Sequence, residues 1–207
     1  MPDLFILFVF YFLIVFSVLG YGYFALNFSK NKYTSSDLGY IGLIGILFLI
    51  IISYISHFFV SHNYIFNSLI LIIGLFFFIF EILKDKKFLE KKNIKLLILI
   101  FIILFLGIMM HKTHDDFPYY HFPYTYYLTQ SDIHIGVGNL SQGFRTSSSI
   151  FYLNSLFYLP LAKYYLFQLG AILIMGFSNF ILLEKILLGI RKKNINYLTY
   201  LSLLSFV

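Results

Sequence analysis

The sequence predicts an all-α membrane protein: a polytopic bundle of transmembrane helices with one long extracytoplasmic loop that contains interfacial helices. Its composition is the first reason, because 60% of the residues are hydrophobic and only 12% are charged. Soluble domains are about half apolar and about a quarter charged. The second reason is the recurrence of apolar runs of about 20 residues, the length that a helix needs to cross a bilayer. The third is a single long polar stretch, 111–162, between two such runs.

Five segments have the length and apolar character of a membrane span, and a sixth begins near the end. They run from Leu4 to Leu26, Leu38 to Val60, Tyr64 to Leu83, Ile94 to Met110 and Lys163 to Leu188, with the sixth starting at Ile195. The first run lacks the basic start and small-residue cleavage site of a signal peptide, so we expect it to be retained. Three regions follow: four N-terminal spans in 1–110, the loop in 111–162, and the fifth span with the start of a sixth in 163–207. The apolar final residues indicate that further sequence follows Val207 in the whole protein.

Orientation follows from the basic residues of the connectors, because cytoplasmic connectors carry the excess of lysine and arginine. These residues gather in alternate connectors, at 30–32, 84–95 and 191–193. We therefore expect those three connectors in the cytoplasm. The turn at 61–63 and the loop at 111–162 then face outward.

The charge distribution also limits the partners. The formal net charge is +6, and the lysines lie in short turns between apolar runs instead of forming a basic stripe. Such lysines anchor helices at a membrane surface, so we expect a lipid bilayer as partner and no nucleic acid. The chain has no cysteine, which excludes a disulfide framework and a thiolate metal site.

The loop itself carries three local signals. Its first part, F-P-Y-Y-H-F-P-Y, is rich in tyrosine, which prefers the headgroup region, and Pro118 and Pro123 are expected to end any helix early. Its glycines, such as Gly136 and Gly138, indicate turns. A helix is predicted from Ser147, its N-cap, to Tyr158, before Pro160. Its apolar side chains are expected to face the membrane, and they are Ile150, Phe151, Leu153, Phe157 and Tyr158.

Two adjacent carboxylates, Asp115 and Asp116, open the loop and are the candidate catalytic residues. A like-charged neighbour raises the pKa of one carboxyl group, so the pair can supply a general base or bind a divalent cation. A divalent cation is thus a candidate cofactor, with His114 and Asp116 as candidate ligands. The alternative is that the pair only caps a helix, and that nearby histidines such as His121 only bind water or headgroups.

Arg145 is the candidate phosphate contact of the loop. It follows a glycine-containing turn and precedes the serines 147–149. A planar guanidinium pairs well with phosphate, and serine hydroxyls with backbone N–H groups at a helix start add donors. The alternative is an arginine that only extends along the membrane surface.

The residues from Asp116 to Phe157 resemble a group of uncharacterised bacterial polytopic proteins related to the GT-C superfamily of membrane glycosyltransferases. Three elements carry the resemblance: a D-x-x-x-Y-H element, a G-L-x-N turn and an R-x-G-F-N-S-S-x-F-like helix. The loop as a whole also resembles the first loop of GT-C enzymes, which opens with an acidic pair before two interfacial helices. The positions that match are Asp116, Tyr120, His121, Gly138, Asn139, Arg145, Ser148 and Ser149.

The resemblance implies a function and roles for these residues. It implies transfer of a sugar from a polyprenyl-phosphate donor at the extracytoplasmic face, by this chain or by a protein of which it is a fragment. The location that it implies is the inner (plasma) membrane of a bacterium. Asp115 or Asp116 would be the base or an anchor for metal and substrate, and Arg145 would contact the carrier phosphate. Substrate contacts would come from His121, Asn139, Ser148 and Ser149.

Two functions of other classes stay open on the sequence: a flippase or polysaccharide-export component without chemistry, and a structural membrane subunit. A transporter is expected to carry ionisable groups in the middle of its spans, whereas these spans contain almost none. This favours an enzyme whose site lies at the water interface.

Overall fold

The computed structural model describes residues 3–28, 38–84, 91–110, 115–133, 136–139, 142–145, 148–191 and 196–206. Within these ranges the chain is helical and contains no β-strand. The predicted all-α class is therefore confirmed.

The described ranges contain eight α-helices and four short helical turns. The α-helices are α1 (Leu4–Phe28), α2 (Leu38–His57), α3 (Tyr64–Lys84), α4 (Lys91–Met110), α5 (Phe122–Gln130), α6 (Ser149–Ser155), α7 (Leu169–Arg191) and α8 (Tyr197–Phe206). A π-helical turn, Phe117–His121, leads into α5, and 3-10 turns occupy Val137–Asn139, Gln142–Phe144 and Tyr164–Leu166.

Within the described ranges, four helical stretches are long and apolar enough to cross a membrane: α1, α2, α3, and α7 together with the 3-10 turn before it. They support an integral membrane protein, as the sequence predicts. The apolar part of α4, Asn93–Met109, is shorter than these four. The fifth span was expected to start at Lys163, but a tight turn and a 3-10 turn come first and α7 itself begins at Leu169.

The long helices pack through glycines and aromatic rings. Helix α1 contacts α2 and α3, while α7 contacts α2 and α4. At the crossing of α1 and α3, a Cβ on Gly20 would overlap the backbone carbonyl of Gly74, so only glycine allows the two backbones to approach this closely. Phe101 on α4 and Phe177 on α7 are fully buried against each other, with ring centroids 5.1 Å apart.

The loop residues fold back onto one end of this bundle. The backbone N–H of His62 donates to the carbonyl of Leu128 at 3.0 Å, and that of Ile133 donates to the carbonyl of His57 at 3.2 Å. The turn between α2 and α3 and the long polar loop therefore lie at the same end of the bundle. This relative placement agrees with the alternation of basic and non-basic connectors.

The predicted loop helix forms, but it is shorter and more buried than expected. It is α6, Ser149–Ser155, and Ser148 takes the N-cap position without a side-chain capping bond, while Ser147 lies outside the described residues. Every residue from Phe151 to Phe157 is buried. The expectation that Phe151, Leu153 and Phe157 face the membrane is wrong, because α6 lies against α2, α5 and α7 and buries its apolar side chains within the protein.

The prolines at the start of the loop do not end the helix there. Pro118 lies in the first turn of the π-helical turn and Pro123 in the first turn of α5, positions where a missing N–H costs little. The N–H of Phe122 bonds to the carbonyl of Phe117, which is the wider i to i+5 pattern of a π turn. The segment therefore stays helical from Phe117 to Gln130.

Candidate functional site at the loop end of the bundle

The first of two cavities at the loop end has a volume of about 370 Å³. It lies between the start of α5, the start of α6 and the start of α7. Its polar lining is provided by His121, Thr125, Ser148, Asn154 and Gln168, and its apolar lining includes the ring of Phe151. A concave site with a few convergent polar groups is the usual form of a small-molecule site.

The second cavity has a volume of about 340 Å³. It lies between the end of α2, the middle of α5, α6 and the glycine turns. Four tyrosines, one histidine and one arginine line it, and they are Tyr54, Tyr124, Tyr127, Tyr152, His57 and Arg145. This cavity is therefore much richer in tyrosine than the first.

Helices α5 and α6 form the wall between the two cavities. On α5, Tyr124 lines the second cavity and the next residue, Thr125, lines the first. On α6, Phe151 lines the first cavity and the next residue, Tyr152, lines the second. Neighbouring residues on each helix thus face different cavities.

The two carboxylates of the acidic pair have different surroundings. Asp115 is exposed, whereas Asp116 is partly buried and accepts a hydrogen bond from the Tyr120 hydroxyl at 3.3 Å. Asp116 occupies the position before the π-helical turn, but its side chain makes no capping hydrogen bond. Partial burial and the Asp116 carboxylate raise the pKa of the Tyr120 hydroxyl, which stays a donor. Asp116 is therefore the better positioned of the two candidate bases.

His121 and Ser148 both line the first cavity, and His121 follows Asp116 closely in the chain. The His121 ring lies 5.0 Å from the ring of Phe151, which fixes its position against α6. The side chain of Asn154 accepts a hydrogen bond from the backbone N–H of Gly170 at 2.8 Å and so attaches the start of α7 to α6. Ser149, the first residue of α6, is exposed.

Arg145 and Asn139 lie on the other side of the α5–α6 wall. The Nε of Arg145 donates to the carbonyl of Gly138 at 3.4 Å, and Arg145 lines the second cavity. Asn139 is exposed, and its backbone N–H donates to the carbonyl of Gly136 at 2.9 Å. The structure therefore does not bring these candidates together, because His121 and Ser148 line the first cavity and Arg145 lines the second.

Tyr120 joins the segment of Asp116 to the segment of Arg145. A Cβ on Gly143 would lie 2.5 Å from the Cβ of Tyr120, so the 3-10 turn Gln142–Phe144 packs directly on this tyrosine. The hydroxyl of Tyr120 bonds to Asp116, and Arg145 follows the turn by one residue. Tyr120 thus contacts both the Asp116 carboxylate and the turn that precedes Arg145.

Among the described residues, no group of three or more histidine and acidic side chains is placed to hold a metal ion. His111 and His114 lie outside those residues. The divalent cation with His114 and Asp116 as ligands therefore stays a prediction.

A buried polar cluster between α2, α3 and α6 was not predicted from the sequence. Its centre is His62, which is fully buried and bonds through Nδ1 to the Ser155 hydroxyl at 2.6 Å and through Nε2 to the Ser56 hydroxyl at 3.0 Å. The His57 ring lies 5.0 Å from the His62 ring, and its Nε2 is 3.1 Å from the Ser131 carbonyl oxygen. Burial, followed by the proximity of His57, lowers the pKa of His62 to about 3, so this side chain is neutral.

Asn67 on α3 completes this cluster. Its Nδ2 lies 2.6 Å, 2.8 Å and 2.9 Å from the carbonyl oxygens of His62, Ser155 and Tyr158. The side chain is fully buried and therefore attaches both the α2–α3 turn and the end of α6 to α3. The available sequence signal was His62 in a very short polar turn between two apolar runs, with His57 shortly before that turn.

Comparisons of the chain with protein-family models, with curated proteins and with solved structures gave no match. A function can therefore be argued only from the residues of the loop end and from the chemistry that they allow.

Proposed function

We propose that this protein is a GT-C-like membrane glycosyltransferase, or a part of one, that transfers a sugar from a polyprenyl-phosphate donor at the extracytoplasmic face. The observation that carries the proposal is the position of Asp116. This partly buried carboxylate is held by Tyr120, directly before Phe117 and one turn before His121, which both line the first cavity. A carboxylate beside a polar cavity at the loop end suits a base that acts on a substrate entering from water.

The proposed chemistry is a single displacement at the anomeric carbon of the donor sugar. The acceptor hydroxyl oxygen forms a bond to that carbon while Asp116 takes its proton, and the bond from the carbon to the phosphate oxygen breaks. The carrier phosphate leaves with the electron pair of that bond. A cationic group that contacts the leaving phosphate lowers the barrier, and Arg145 is the candidate for this role.

The remaining candidate residues are assigned to substrate binding. His121 and Ser148 offer a ring nitrogen and a hydroxyl to the first cavity, which can hydrogen-bond to sugar or acceptor hydroxyl groups. Ser149 and Asn139 are exposed at the outer edge, where a larger acceptor would approach. Tyr120 is a positioning residue, because it contacts Asp116 and not the proposed substrate site.

The membrane spans themselves favour an enzyme over a transporter. Both cavities lie at the loop end of the bundle, and the described part of α3 carries its charged pair, Glu81 and Lys84, near the opposite end at a separation of 3.7 Å. A transporter is expected to bind its substrate near the middle of its spans. An enzyme that acts at the membrane surface needs no such central site.

The test compares Asp116→Asn with Asp115→Asn in the full-length protein. The assay follows labelled sugar from a panel of polyprenyl-phosphate monosaccharides into acceptors of the native membrane. We expect Asp116→Asn to lower transfer by about 100-fold or more, the usual contribution of a general base. Asp115→Asn is the matched control, because its side chain is exposed, and it should stay within a few-fold of the parent.

Membrane insertion is measured for both variants by carbonate extraction and should equal that of the parent. Full transfer by Asp116→Asn would show that this carboxylate is not the base. Movement of the labelled lipid across the membrane without any glycosyl product would instead support a flippase.

A further inference from the structure

Another cavity lies at the end of the bundle opposite the loop, between the ends of α1 and α3. Its volume is about 230 Å³. Five aromatic residues and one carboxylate belong to its described lining, and they are Tyr23, Phe24, Phe76, Phe77, Phe80 and Glu81. We call it the aromatic cavity.

Rings from both helices form the wall of the aromatic cavity. Phe24 of α1 stacks on Phe77 of α3 with ring centroids 4.2 Å apart. Phe76 stacks with Phe80, one turn further along α3, at 6.4 Å. The face of an aromatic ring carries partial negative charge and attracts a cation within about 6 Å of its centroid. Several rings around a small cavity are the usual form of a site for an organic ammonium group.

Glu81 adds a negative charge to the same cavity. The residue is only 7% exposed, and its Oε1 lies 3.7 Å from Nζ of Lys84, whose side chain is exposed. A charge with little contact with water acts more strongly on a nearby charge than it would in solution. The carboxylate therefore strengthens the attraction of the rings for a cation, while Lys84 offers a positive charge at the outer edge.

The aromatic cavity is accessible from the bilayer. Helix α3 is the least buried of the four spanning stretches, with 22% of its most apolar part buried against 44% or more in the others. Phe76 and Phe80 are exposed, and an exposed apolar stripe continues from them along α3 toward the middle of the span through Leu69, Ile72 and Ile73. A ligand from the lipid can reach the cavity past these two rings.

The depth of the cavity matches that of lipid headgroups. Glu81 lies in the last turn of α3, which ends at Lys84, where the lysine-rich connector 84–95 begins. Lysines at the end of a span lie at the membrane surface, where they contact lipid phosphates. A cation site beside a phosphate site at this level matches a headgroup that carries both charges.

We propose that the aromatic cavity binds the headgroup of a zwitterionic phospholipid, with its ammonium group between the rings and Glu81 and its phosphate at Lys84. The two charges of the headgroup then face charges of opposite sign on α3, and an acyl chain lies along the exposed stripe. This site is at the other end of the bundle from the proposed transfer site and does not depend on the proposed function.

The test measures lipid binding to the full-length protein by native mass spectrometry after purification in detergent and removal of bound lipid. The probes are phosphatidylethanolamine, phosphatidylcholine and phosphatidylglycerol with the same acyl chains. The first two carry an ammonium group and the third does not, so phosphatidylglycerol reports on sites that recognise phosphate alone, such as the lysines of the connectors.

Two variants remove the charge and one of the rings. Glu81→Gln should weaken binding of at least one ammonium lipid by roughly 5- to 30-fold, because it removes the charge that pairs with the ammonium group. Phe80→Leu keeps an apolar side chain but removes a ring face, and should weaken the same lipid by roughly 2- to 5-fold. Neither change should weaken the binding of phosphatidylglycerol.

Two matched controls make the same substitutions outside the cavity. Glu184→Gln changes a carboxylate on α7 that accepts a hydrogen bond from Asn93 at 3.2 Å, and the amide keeps an oxygen for this bond. Phe5→Leu changes an exposed ring at the other end of α1. Neither control should alter the binding of any of the three lipids.

Three results would overturn the proposal. The first is unchanged binding of both ammonium lipids by Glu81→Gln and Phe80→Leu, and the second is an equal loss of phosphatidylglycerol. The third is displacement of the bound lipid by an equal concentration of free choline or ethanolamine, because the cavity would then take a soluble cation. Circular dichroism checks the folding of each variant, and Phe80→Leu decides the matter if Glu81→Gln does not fold.

Discussion

Asn67 is expected to be the most sensitive single side chain at the base of the loop. Its Nδ2 has two hydrogens and lies within 2.9 Å of three carbonyl oxygens. The carbonyl of Ser155 also accepts from the backbone N–H of Tyr158, so Asn67→Ala leaves at most the other two without a donor. Each unsatisfied buried carbonyl costs about 1 to 3 kcal/mol. The Oδ1 of Asn67 has no hydrogen-bond partner among the described residues, and its removal offsets part of this cost. We expect a net loss of about 1 to 3 kcal/mol in the free energy of unfolding.

The assay is unfolding in mixed micelles with increasing sodium dodecyl sulfate, followed by circular dichroism. Ser68→Ala is the matched control, since the exposed hydroxyl of this neighbour on α3 donates to the carbonyl of Tyr64 within its own helix, and it should change stability by less than about 0.5 kcal/mol. Asn67→Asp keeps the size but places a carboxylate against three carbonyl oxygens, so it should destabilise more than Asn67→Ala. Equal stability of Asn67→Ala and Ser68→Ala, or a milder effect of Asn67→Asp, would refute the reasoning.

Two further predictions concern topology and pH. A reporter fused near Gln130 should lie on the extracytoplasmic side and one near Phe88 in the cytoplasm, as reporter activity would show, and the reverse pattern would overturn the orientation argument. The pKa of His62 is about 3 in the folded protein and near 6.5 when unfolded, so the unfolded state binds more protons between these values. The stability that neutral His62 contributes is therefore complete above about pH 6.5 and is lost as the pH falls toward 3, by at most about 1.4 kcal/mol per pH unit. His62→Gln should flatten the dependence of stability on pH between pH 7 and pH 4.5 in the same unfolding assay. An unchanged profile would show that His62 is not the cause of the pH dependence.

The long helices could be predicted from the sequence because the bilayer fixes their length and character. The apolar runs predicted to start at Leu38 and Tyr64 begin at the same residues as α2 and α3. The relative placement of the loop and the 61–63 turn at one end also follows from alternation of the spans. These properties depend on composition along the chain and need no knowledge of contacts between distant residues.

The surroundings of α6 could not be predicted in the same way. An apolar helix beside a membrane can bury its side chains in lipid or in protein, and both environments select the same residues. Here Ser155 bonds to His62, which lies 93 residues earlier in the chain, and this contact decides that α6 packs inside the bundle end. Because polar residues in a short connector are usually hydrated, neither histidine of the α2–α3 turn was expected to be buried.

The sequence also could not show that the candidate site residues line different cavities. Asp116, His121 and Arg145 belong to one loop, so the sequence shows that they are near one another in the chain. It does not show which side of a helix each side chain faces. The consecutive residues Tyr124 and Thr125 show how this is decided, since one step along α5 moves a side chain from one cavity to the other. Only the docking of α5 on α6 establishes which residues share a cavity.

The buried cluster and the exposed candidates together explain how a loop can carry a site that needs fixed geometry. Neutral groups, His62 and Asn67 among them, hold the base of the loop against α2 and α3 by short hydrogen bonds. The charged candidates, Asp116 and Arg145, lie in the outer part, where water and a substrate have access. A charge in the buried part would lose its hydration at a large cost, whereas the neutral groups there replace water by hydrogen bonds to one another. The polar groups that fix the loop and those that react are therefore placed at different depths. Tyr120 holds the outer part in place, because its ring packs on the aromatic cluster around Phe151 and its hydroxyl bonds to Asp116.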